Sequence, residues 1–248
     1  MNKVDIYKKA HQLWDKQHQV GSPTYYLRKS ILNKRIKQFI KDGDEILDVG
    51  CGTGDYLLEM TKYNVSLNGF DLSEYAIEQT KLRLKGRPAE LIVSDIEHFE
   101  SKKKYDLIFI IEVMQVVKDD LVALRKLINY LKPNGRMIIS VPFDPSLLIN
   151  ESHQPYDGLR RYSKEDLTQL VEQAGLEIMR LDCYGFPFLR LYYYFTRFFL
   201  RKKPMSVLIK KSSIIKLIHN LFKPIFNFDK LFLSTNKGVG LVLVAQKK

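Results

Sequence analysis

The sequence has few cysteines, few glycines and prolines, and no long uncharged run of apolar residues. Only Cys51 and Cys183 occur among 248 residues, which excludes a disulfide scaffold. The 13 glycines and 9 prolines exclude a collagen-like chain, and 45% apolar residues exclude an intrinsically disordered one. The aromatic-rich stretch 186–200 is interrupted by Arg190 and Arg197, so we predict no membrane-spanning helix.

The N-terminal sequence and the cysteine content bear on location. Residues 1–5 are charged and lack an apolar segment, so no signal peptide is predicted. Two thiols are compatible with a reducing compartment. We therefore expect a cytoplasmic protein, with peripheral contact at the inner face of the membrane left open.

Acidic residues are scarce in the last quarter of the chain. The formal net charge is +12, and residues 182–248 hold 13 Lys and Arg against the two acids Asp182 and Asp229. That segment therefore carries +11, and the remainder carries 27 bases against 26 acids. Such asymmetry indicates an anionic partner, such as lipid head groups, nucleic acid or an acidic substrate. A solvated basic surface is the alternative.

Short apolar runs alternate with helical patterns along most of the chain. We predict strands over 45–49, 65–70, 89–93, 105–111, 136–141, 176–183 and 238–245. We predict helices over 3–18, 24–41, 55–63, 73–85, 119–131 and 163–174, with Pro133-Asn134-Gly135 as a helix stop. Strands that alternate with helices indicate an α/β fold with a doubly wound sheet.

The segment Ile46-Leu-Asp-Val-Gly-Cys-Gly-Thr-Gly54 joins the first of these strands to a helix. Glycines here let the backbone approach a ligand, and the helix N-terminus offers unpaired N–H groups. A dinucleotide fold would place its third glycine at position 55, which is Asp55. Asp48 beside the turn would repel a pyrophosphate but can interact with a cationic amino group. The pattern favours a nucleoside that carries an amino acid.

Two further acids follow the next two predicted strands. Asp71 lies 21 residues after Gly50, where a carboxylate can accept hydrogen bonds from both ribose hydroxyls. Asp95 ends the third strand at the same edge of the sheet. Ligands of open α/β sheets bind outside the carboxyl ends of the strands, so both acids are candidate ligand contacts.

Five motifs in order carry a resemblance to a known family. They are 46–54, Gly69-Phe-Asp-Leu-Ser73, Val93-Ser-Asp-Ile96, 105–113 and Leu131-Lys-Pro-Asn-Gly135. Over roughly 24–184 and 238–246 the chain resembles the class I S-adenosylmethionine-dependent methyltransferases, in the group that includes ubiquinone-type and other small-molecule enzymes. The resemblance implies a Rossmann-like, seven-stranded sheet, S-adenosyl-L-methionine as cofactor and methyl transfer as activity.

The resemblance also implies the cofactor contacts. Gly50, Gly52 and Gly54 would line the methionine and ribose, Asp48 would bind the methionine amino group, and Asp71 the ribose hydroxyls. Asp95 and Ile96 would flank the adenine, and Ile111 would offer backbone near the sulfur. Arg28 is either a partner of the methionine carboxylate or a solvated helix residue. Relatives often carry Glu-Val-Leu-Glu-His after the fourth strand, whereas this chain has Glu112-Val-Met-Gln-Val116, without the histidine.

The acceptor contacts are expected in the connector 142–163, whose 153–163 segment resembles small-molecule methyltransferases. The candidates are His153, Tyr156, Arg160, Arg161 and Tyr162. His153 is a candidate general base or acceptor-orienting residue, or it only ties down the loop. Arg160 and Arg161 could clamp a carboxylate or phosphate, or one could pair with Asp157 or Asp166. No metal site is predicted.

These observations predict three parts. They are an N-terminal helical cap over 1–42, a methyltransferase core over 43–184 and 237–248, and a basic, aromatic helical insertion over 185–236. The insertion is a lid over the acceptor pocket, an interfacial membrane surface or a nucleic-acid contact. We favour the lid, which is compatible with membrane contact, and disfavour nucleic acid because no RNA-binding motif is visible.

The predicted reaction is methyl transfer to a small hydrophobic or anionic acceptor, including a lipid-like one, with oxygen as the acceptor atom. Two alternatives remain at this point. One is a peripheral membrane-binding protein that keeps the cofactor fold without turnover. The other is an NAD-dependent oxidoreductase.

Overall fold

The computed structural model describes residues 22–143, 160–200, 220 and 222–247, and for 195–200 it describes the backbone alone. The predicted helix over 3–18 lies outside these residues. The strands are β1 Glu45–Val49, β2 Ser66–Asp71, β3 Ala89–Val93, β4 Tyr105–Ile111, β5 Leu131–Pro142, β6 Leu176–Tyr184 and β7 Gly240–Lys247. The named α-helices are α1 Pro23–Phe39, α2 Asp55–Met60, α3 Glu74–Leu84, α4 Asp120–Asn129, α5 Lys164–Gln173 and α6 Phe188–Leu200.

The strands form one seven-stranded sheet in the order β3-β2-β1-β4-β5-β7-β6. β7 runs antiparallel to both of its neighbours, whereas the pairs among β1 to β5 are parallel. Every residue of β4 except Asp106 is buried, as expected of a central parallel strand covered on both faces. The predicted α/β, doubly wound, Rossmann-like sheet is confirmed.

Helices cover the two faces of this sheet. On one face α4 and α5 pack through residues such as Leu124, Leu127 and Leu167. On the other face α1, α2, α3 and α6 pack against the sheet through a second cluster of buried side chains. That cluster includes Leu27, Ile31, Leu32, Ile36, Tyr56, Leu57, Met60, Ile77, Leu84 and Leu189.

Local signals fix the helix ends. Ser73 accepts a hydrogen bond from the Ala76 N–H and begins α3, as predicted. Ser163 and Asp166 form a capping box at the start of α5. Each of these short polar side chains satisfies backbone groups that the first turn of a helix leaves unpaired.

The predicted helix stop at Pro133-Asn134-Gly135 is wrong, because these residues lie inside β5. α4 ends earlier, at Asn129. The Tyr105 N–H then donates to the Tyr130 carbonyl at 2.8 Å, and the pairing of β5 with β4 begins there. The β4–β5 register shifts between Tyr105 and Leu107, and Asn134 has a φ of +61°. A turn-forming sequence is thus accommodated as an irregularity within a strand.

A buried ion pair fixes α1 to β6, the edge strand of the sheet. Arg35 Nε lies 2.6 Å from Asp182 Oδ2 of β6, and both side chains are 3% exposed. Arg180 Nε contacts the other carboxylate oxygen at 2.9 Å. This anchor places the N-terminal half of α1 over the carboxyl ends of the strands, where Arg28 meets Glu112.

The segment between β6 and β7 contains α6, helical residues 222–227 and the 3-10 helix Phe228–Phe232. The buried Asp229 carboxylate accepts hydrogen bonds from the Phe188 and Leu189 N–H groups at 2.8 and 2.9 Å. It therefore caps α6 from the neighbouring helix. Of the helices in the described ranges, none is long and apolar enough to cross a bilayer.

Candidate active site

The candidate site lies where the strand order reverses. β1 has β2 on one side and β4 on the other, so Val49 pairs with both Phe70 and Ile110. The loops that leave these strands diverge to opposite faces and open a crevice at the carboxyl edge. The glycine turn after β1 lies in this crevice.

The turn needs glycine for steric reasons at both ends. Gly50 has a φ of +63°, and a Cβ there would lie 2.6 Å from Val113 Cγ2. Gly54 has a φ of +81°, and a Cβ there would meet Thr80 Cγ2 at 2.6 Å. A Cβ at either position would displace the Val113 or Thr80 side chain and would be strained by the positive φ, so the bare backbone forms this wall of the crevice.

Hydrogen bonds from β2 and α3 hold the turn in place. The Cys51 N–H donates to the Phe70 carbonyl at 2.9 Å, and the Thr80 hydroxyl donates to the Gly52 carbonyl at 2.9 Å. Arg83 donates to the Thr53 carbonyl at 2.7 Å and also pairs with Asp55. These contacts fix the turn against β2 and α3.

Asp48 is a buried carboxyl group with one oxygen that lacks a hydrogen-bond partner among the described residues. Its side chain is 2% exposed, and within the described part of the chain Oδ2 has no hydrogen-bond partner. Burial raises the pKa of Asp48 well above its ordinary value, and the nearby Asp71 and Asp55 raise it further. A cationic ligand group placed against this carboxyl would reverse that effect and stabilise the ionised form.

Asp71 connects the glycine turn to the end of β2. Its Oδ2 accepts from the Gly52 N–H at 2.9 Å and its Oδ1 from the Ser73 N–H at 2.8 Å. These bonds orient the carboxylate, whose oxygens can each accept more than one hydrogen bond. The carboxylate is thereby held at the edge of the crevice, next to the glycine turn.

The remaining predicted cofactor residues line the same edge. Asp95 Oδ1 accepts from the His98 N–H at 2.8 Å and contacts His98 Nδ1 at 2.7 Å, so it also caps the turn after β3. Ile96 is 8% exposed and Ile111 at the end of β4 is 9% exposed. Both are apolar wall residues that retain a small open surface.

Arg28 is not a solvated helix residue. Its Nη1 lies 3.2 Å from Glu112 Oε1, with side chains 15% and 25% exposed, and its Nε has no partner within the described residues. Burial opposes the charge of Arg28, but Glu112, Tyr56 and Tyr184 together outweigh burial and raise the pKa of Arg28 well above its ordinary value. The sequence did not identify Glu112 as a site residue.

Glu112 is held in an unusual conformation. Its φ is +58°, and its Oε1 also accepts from the Ser140 hydroxyl at 3.1 Å. A non-glycine residue in the left-handed region costs about 1–3 kcal/mol and is typical of functional sites. Its side chain is thereby aimed from the end of β4 toward α1.

Tyrosines surround this ion pair. Burial raises the pKa of Tyr25, Tyr184 and Tyr193. Burial also raises the pKa of Tyr56 to about 12, although the charge of Arg28 opposes the shift. The phenols therefore stay protonated at neutral pH and form neutral walls around the ion pair.

The connector residues divide into described and undescribed ones. His153 and Tyr156 lie outside the described residues. Arg160 Nη1 lies 2.5 Å from Asp120 Oδ2, a carboxylate that the sequence did not suggest as its partner, and Asp157 lies outside the described residues. The Tyr162 side chain is 3% exposed. Its hydroxyl forms hydrogen bonds to the Met114 carbonyl at 3.1 Å and to Asp120 Oδ2 at 2.9 Å.

These contacts give Arg160 and Tyr162 a structural role at the end of the connector. Arg161 donates to the Phe143 carbonyl at 3.4 Å, and its charge lowers the pKa of Tyr193 against the effect of burial. Of Arg160 and Arg161, Arg161 is therefore the one that lies near the tyrosines around Arg28. Over the part of the chain that is described, no group of three or more His, Cys, Asp or Glu side chains could hold a metal ion.

Comparisons with known proteins agree with this geometry. The family described as "Methyltransferase domain" matches residues 23–181, more than half of the chain. A malonyl-acyl-carrier-protein O-methyltransferase 2 of Ilyobacter polytropus is 29% identical over 160 residues, covering 60% of this chain and 62% of that protein. A ubiquinone biosynthesis O-methyltransferase of Rickettsia felis is 29% identical over 142 residues, covering 54% and 57%.

The solved structures show the same fold. An S-adenosylmethionine-dependent methyltransferase of Thermotoga maritima superposes with a TM-score of 0.67 at 16% identity, covering 100% of both chains. The curated relatives named above are matched over less than two thirds of their own lengths. The family match, the strand order and the glycine turn at the switch point together establish that this chain belongs to the methyltransferase-domain family.

Proposed function

We propose that the chain binds S-adenosyl-L-methionine and transfers its methyl group to a small, apolar, hydroxyl-bearing acceptor. The observation that carries the proposal is Asp48, a buried carboxyl with an unpartnered oxygen beside the glycine turn. An amino-acid ammonium group would supply the missing partner, and a pyrophosphate would be repelled.

The residues present fit this cofactor. Asp48 would bind the amino group, the turn 50–54 would follow the methionine and ribose, and the Asp71 carboxylate would accept from the ribose hydroxyls. Asp95 and Ile96 would flank the adenine, and Ile111 would lie near the sulfur. Arg28 would bind the methionine carboxylate, because its buried Nε has no hydrogen-bond partner within the described residues.

The reaction asks for positioning more than for strong acid–base chemistry. When bound, the cofactor supplies a methyl group on a sulfonium whose leaving group is a neutral thioether. The chain must align the acceptor oxygen and exclude water from the crevice. A base is needed only if the acceptor loses its proton at or before attack, and His153 remains our candidate for it.

The acceptor pocket we propose is lined by the tyrosine cluster and by the inner face of α6. Tyr193 contacts the Thr24 hydroxyl of α1 through its own hydroxyl, and Tyr192 packs against Phe226 with ring centroids 5.6 Å apart. Aromatic walls favour an apolar acceptor with one polar end. Arg161, more than Arg160, would contact an anionic group on it, with Tyr156 as a further contact.

Two named relatives support oxygen as the acceptor atom. They act, by name, as O-methyltransferases on a malonyl-acyl-carrier protein and in ubiquinone biosynthesis. In this proposal, the core comprises 43–184 and 237–248, 1–42 forms the cap, and 185–236 forms a lid over a lipid-like acceptor. We place the protein in the cytoplasm.

Turnover is tested by measuring S-adenosylhomocysteine release with a panel of acceptors at matched concentrations. The panel pairs a prenylated catechol with its amino analogue and with a polar catechol lacking the apolar chain. We expect release with the prenylated catechol and at least a tenfold lower kcat/KM with each of the other two. Preference for the amine would overturn oxygen as the acceptor atom.

The alternatives give distinct results in the same samples. A protein that keeps the fold without turnover would bind S-adenosylmethionine in calorimetry but release no product with any acceptor. An NAD-dependent oxidoreductase would bind NAD and not S-adenosylmethionine. Matching the released S-adenosylhomocysteine to the methylated acceptor, one for one, confirms transfer.

A further inference from the structure

α6 exposes apolar side chains on the face that turns away from the protein. Leu189 is fully buried, and Tyr192 and Tyr193 pack against the core on the inner face. On the outer face Leu191 is 64% exposed and Tyr194 is 46% exposed. A surface helix normally carries polar residues on this side, so the outer face of α6 is apolar without a partner in the described chain.

The neighbouring segment repeats this pattern beside it. Phe226 and Asp229 are buried, whereas an apolar residue is exposed at nearly every third position around them. The exposed ones are Phe222, Ile225, Phe228, Leu231 and Phe232. Phe188 and Phe228 are in ring contact at 6.5 Å, and Phe186 and Phe232 at 6.2 Å.

The two stripes therefore form one continuous apolar surface, which we call the aromatic face. It comprises Phe188, Leu191, Tyr194, Phe222, Ile225, Phe228, Leu231 and Phe232. Elsewhere in the described residues the exposed large apolar side chains are Leu58, Leu82, Val93, Val122 and Met179, which include no aromatic ring. Scattered single residues are ordinary, but a continuous patch marks an interaction surface.

Basic residues border the aromatic face. Arg190 lies 5.6 Å from the Tyr194 ring centroid, and Lys237 lies 6.0 Å from that of Phe186. Lys223 and Lys230 lie in the same segment and contact α1, Lys223 over the Tyr26 ring at 5.2 Å and Lys230 through a 2.6 Å hydrogen bond to the Ser30 hydroxyl. The only acidic side chain after Asp182 is Asp229, which is buried and caps α6.

We propose that the aromatic face docks the protein on an anionic lipid bilayer. Aromatic and leucine side chains would enter the head-group region while the bordering lysines and arginine contact anionic lipids. The inner face of the same helix lines the proposed acceptor pocket, so docking would bring that pocket to the membrane surface. The docking itself does not depend on the proposed methyl transfer.

Two other occupants fit the surface less well. A symmetric dimer through this face would juxtapose two strongly basic segments, and like charges across an interface are unfavourable. Nucleic acid would need stacking platforms in a groove, whereas aliphatic Leu191, Ile225 and Leu231 make up much of the exposed area. A bilayer satisfies the apolar area and the charge together.

Vesicle co-sedimentation of the full chain tests the proposal. The probes are vesicles of phosphatidylglycerol with phosphatidylcholine and vesicles of phosphatidylcholine alone. The test variant is the pair Leu191→Ser and Leu231→Ser, which are 64% and 75% exposed. The matched control is the pair Leu82→Ser and Val122→Ser, 69% and 60% exposed on α3 and α4. All four changes remove an exposed apolar side chain, so the folding penalty is matched.

We expect tight binding to the anionic vesicles and at least about tenfold weaker binding to the neutral ones. The test pair should lose about tenfold or more in affinity, and the control pair less than about twofold. Equal losses in both pairs, or no binding of the parent chain to anionic vesicles, would overturn the proposal. So would concentration-dependent dimerisation that only the test pair abolishes, or tighter binding to single-stranded RNA than to the vesicles. Affinity for S-adenosylmethionine, measured by calorimetry without lipid, should be the same in the test pair and the parent, which separates this outcome from the proposed function.

Discussion

Arg28 in α1 and Glu112 at the end of β4 form a largely buried ion pair, with Nη1 and Oε1 3.2 Å apart. Glu112 holds this position with a φ of +58° and a hydrogen bond from Ser140. The pair joins the helical cap to the central strand beside the glycine turn. It therefore ties the covering helix to the geometry of the candidate site.

Breaking this pair should destabilise the protein and separate two roles of Arg28. We expect Arg28→Met or Glu112→Gln alone to cost about 1–3 kcal/mol, because each leaves a partly buried polar group unpaired. The double variant should cost less than the sum by about 1 kcal/mol, as measured by urea denaturation. Strict additivity would contradict the pairing.

The same variants test whether Arg28 also binds the cofactor. In calorimetry Arg28→Met should weaken S-adenosylmethionine binding by about tenfold, which corresponds to one charge-assisted hydrogen bond. Glu112→Gln should change it by less than about twofold. Equal losses in the two variants would assign the effect to the ion pair, and no loss in either would remove Arg28 from the cofactor site.

Asp48 should make the stability of the ligand-free protein fall as pH rises. Its pKa in the folded protein is raised above the value of about 3.9 in an unfolded chain, so between the two values the folded state binds more protons. The free energy of unfolding therefore decreases as pH increases through that window. Asp48→Asn should flatten this profile and raise stability near neutral pH by about 1 kcal/mol or more.

Denaturation curves recorded between about pH 4 and pH 8 without cofactor measure this effect. Parallel profiles for the parent and Asp48→Asn would show that Asp48 titrates normally. A saturating concentration of S-adenosylmethionine should stabilise the parent near neutral pH and have little effect on the variant.

Gly50→Ala should be more damaging than an equivalent change at Gly43. Both glycines have positive φ, +63° and +84°, but a Cβ at Gly43 meets nothing within 4 Å, whereas one at Gly50 lies 2.6 Å from Val113 Cγ2. We expect Gly43→Ala to cost about 1 kcal/mol from backbone strain alone. Gly50→Ala adds overpacking of about 1–3 kcal/mol and loss of cofactor binding.

Val113→Ala provides the rescue. It removes the Cγ2 atom that a residue-50 side chain would strike, so the double variant should recover part of the thermal stability that Gly50→Ala loses. Failure of this rescue, with Val113→Ala itself well folded, would indicate that the φ of Gly50 rather than the contact is limiting.

Tyr162→Phe distinguishes a structural role from the substrate contact predicted from sequence. The hydroxyl bonds to the Met114 carbonyl and to Asp120, so its loss should cost about 1–3 kcal/mol of stability. The KM for the acceptor should stay within about twofold of the parent value in steady-state assays, because the group is buried in the core. A raised KM with unchanged stability would restore the substrate role.

The sequence predicted the features that local chemistry determines. Unbroken apolar runs predicted the strands, short polar residues predicted caps such as Ser73 and Ser163, and the spacing of Asp48, the glycines and Asp71 predicted a ligand edge. These signals lie within a few residues of the structure they specify, so the fold and the position of the cofactor crevice were accessible.

Contacts between distant segments were not accessible. Nothing near Arg28 indicates that Glu112 is its partner, and nothing near Arg160 indicates Asp120. Pro133-Asn134-Gly135 looks like a helix stop because turn residues also occur at irregular positions in strands, and only the pairing with β4 distinguishes the two. The aromatic face likewise depends on how α6 packs, since its sequence is apolar on both sides.

The most direct test of the account is calorimetric titration of S-adenosylmethionine into the parent chain, Asp48→Asn and Gly43→Ala. We predict saturable one-to-one binding to the parent, about 10- to 100-fold weaker binding to Asp48→Asn, and unchanged affinity in Gly43→Ala. Equal affinity in the parent and Asp48→Asn, or binding of NAD in place of S-adenosylmethionine, would contradict the claim that this buried carboxyl selects a sulfonium nucleoside.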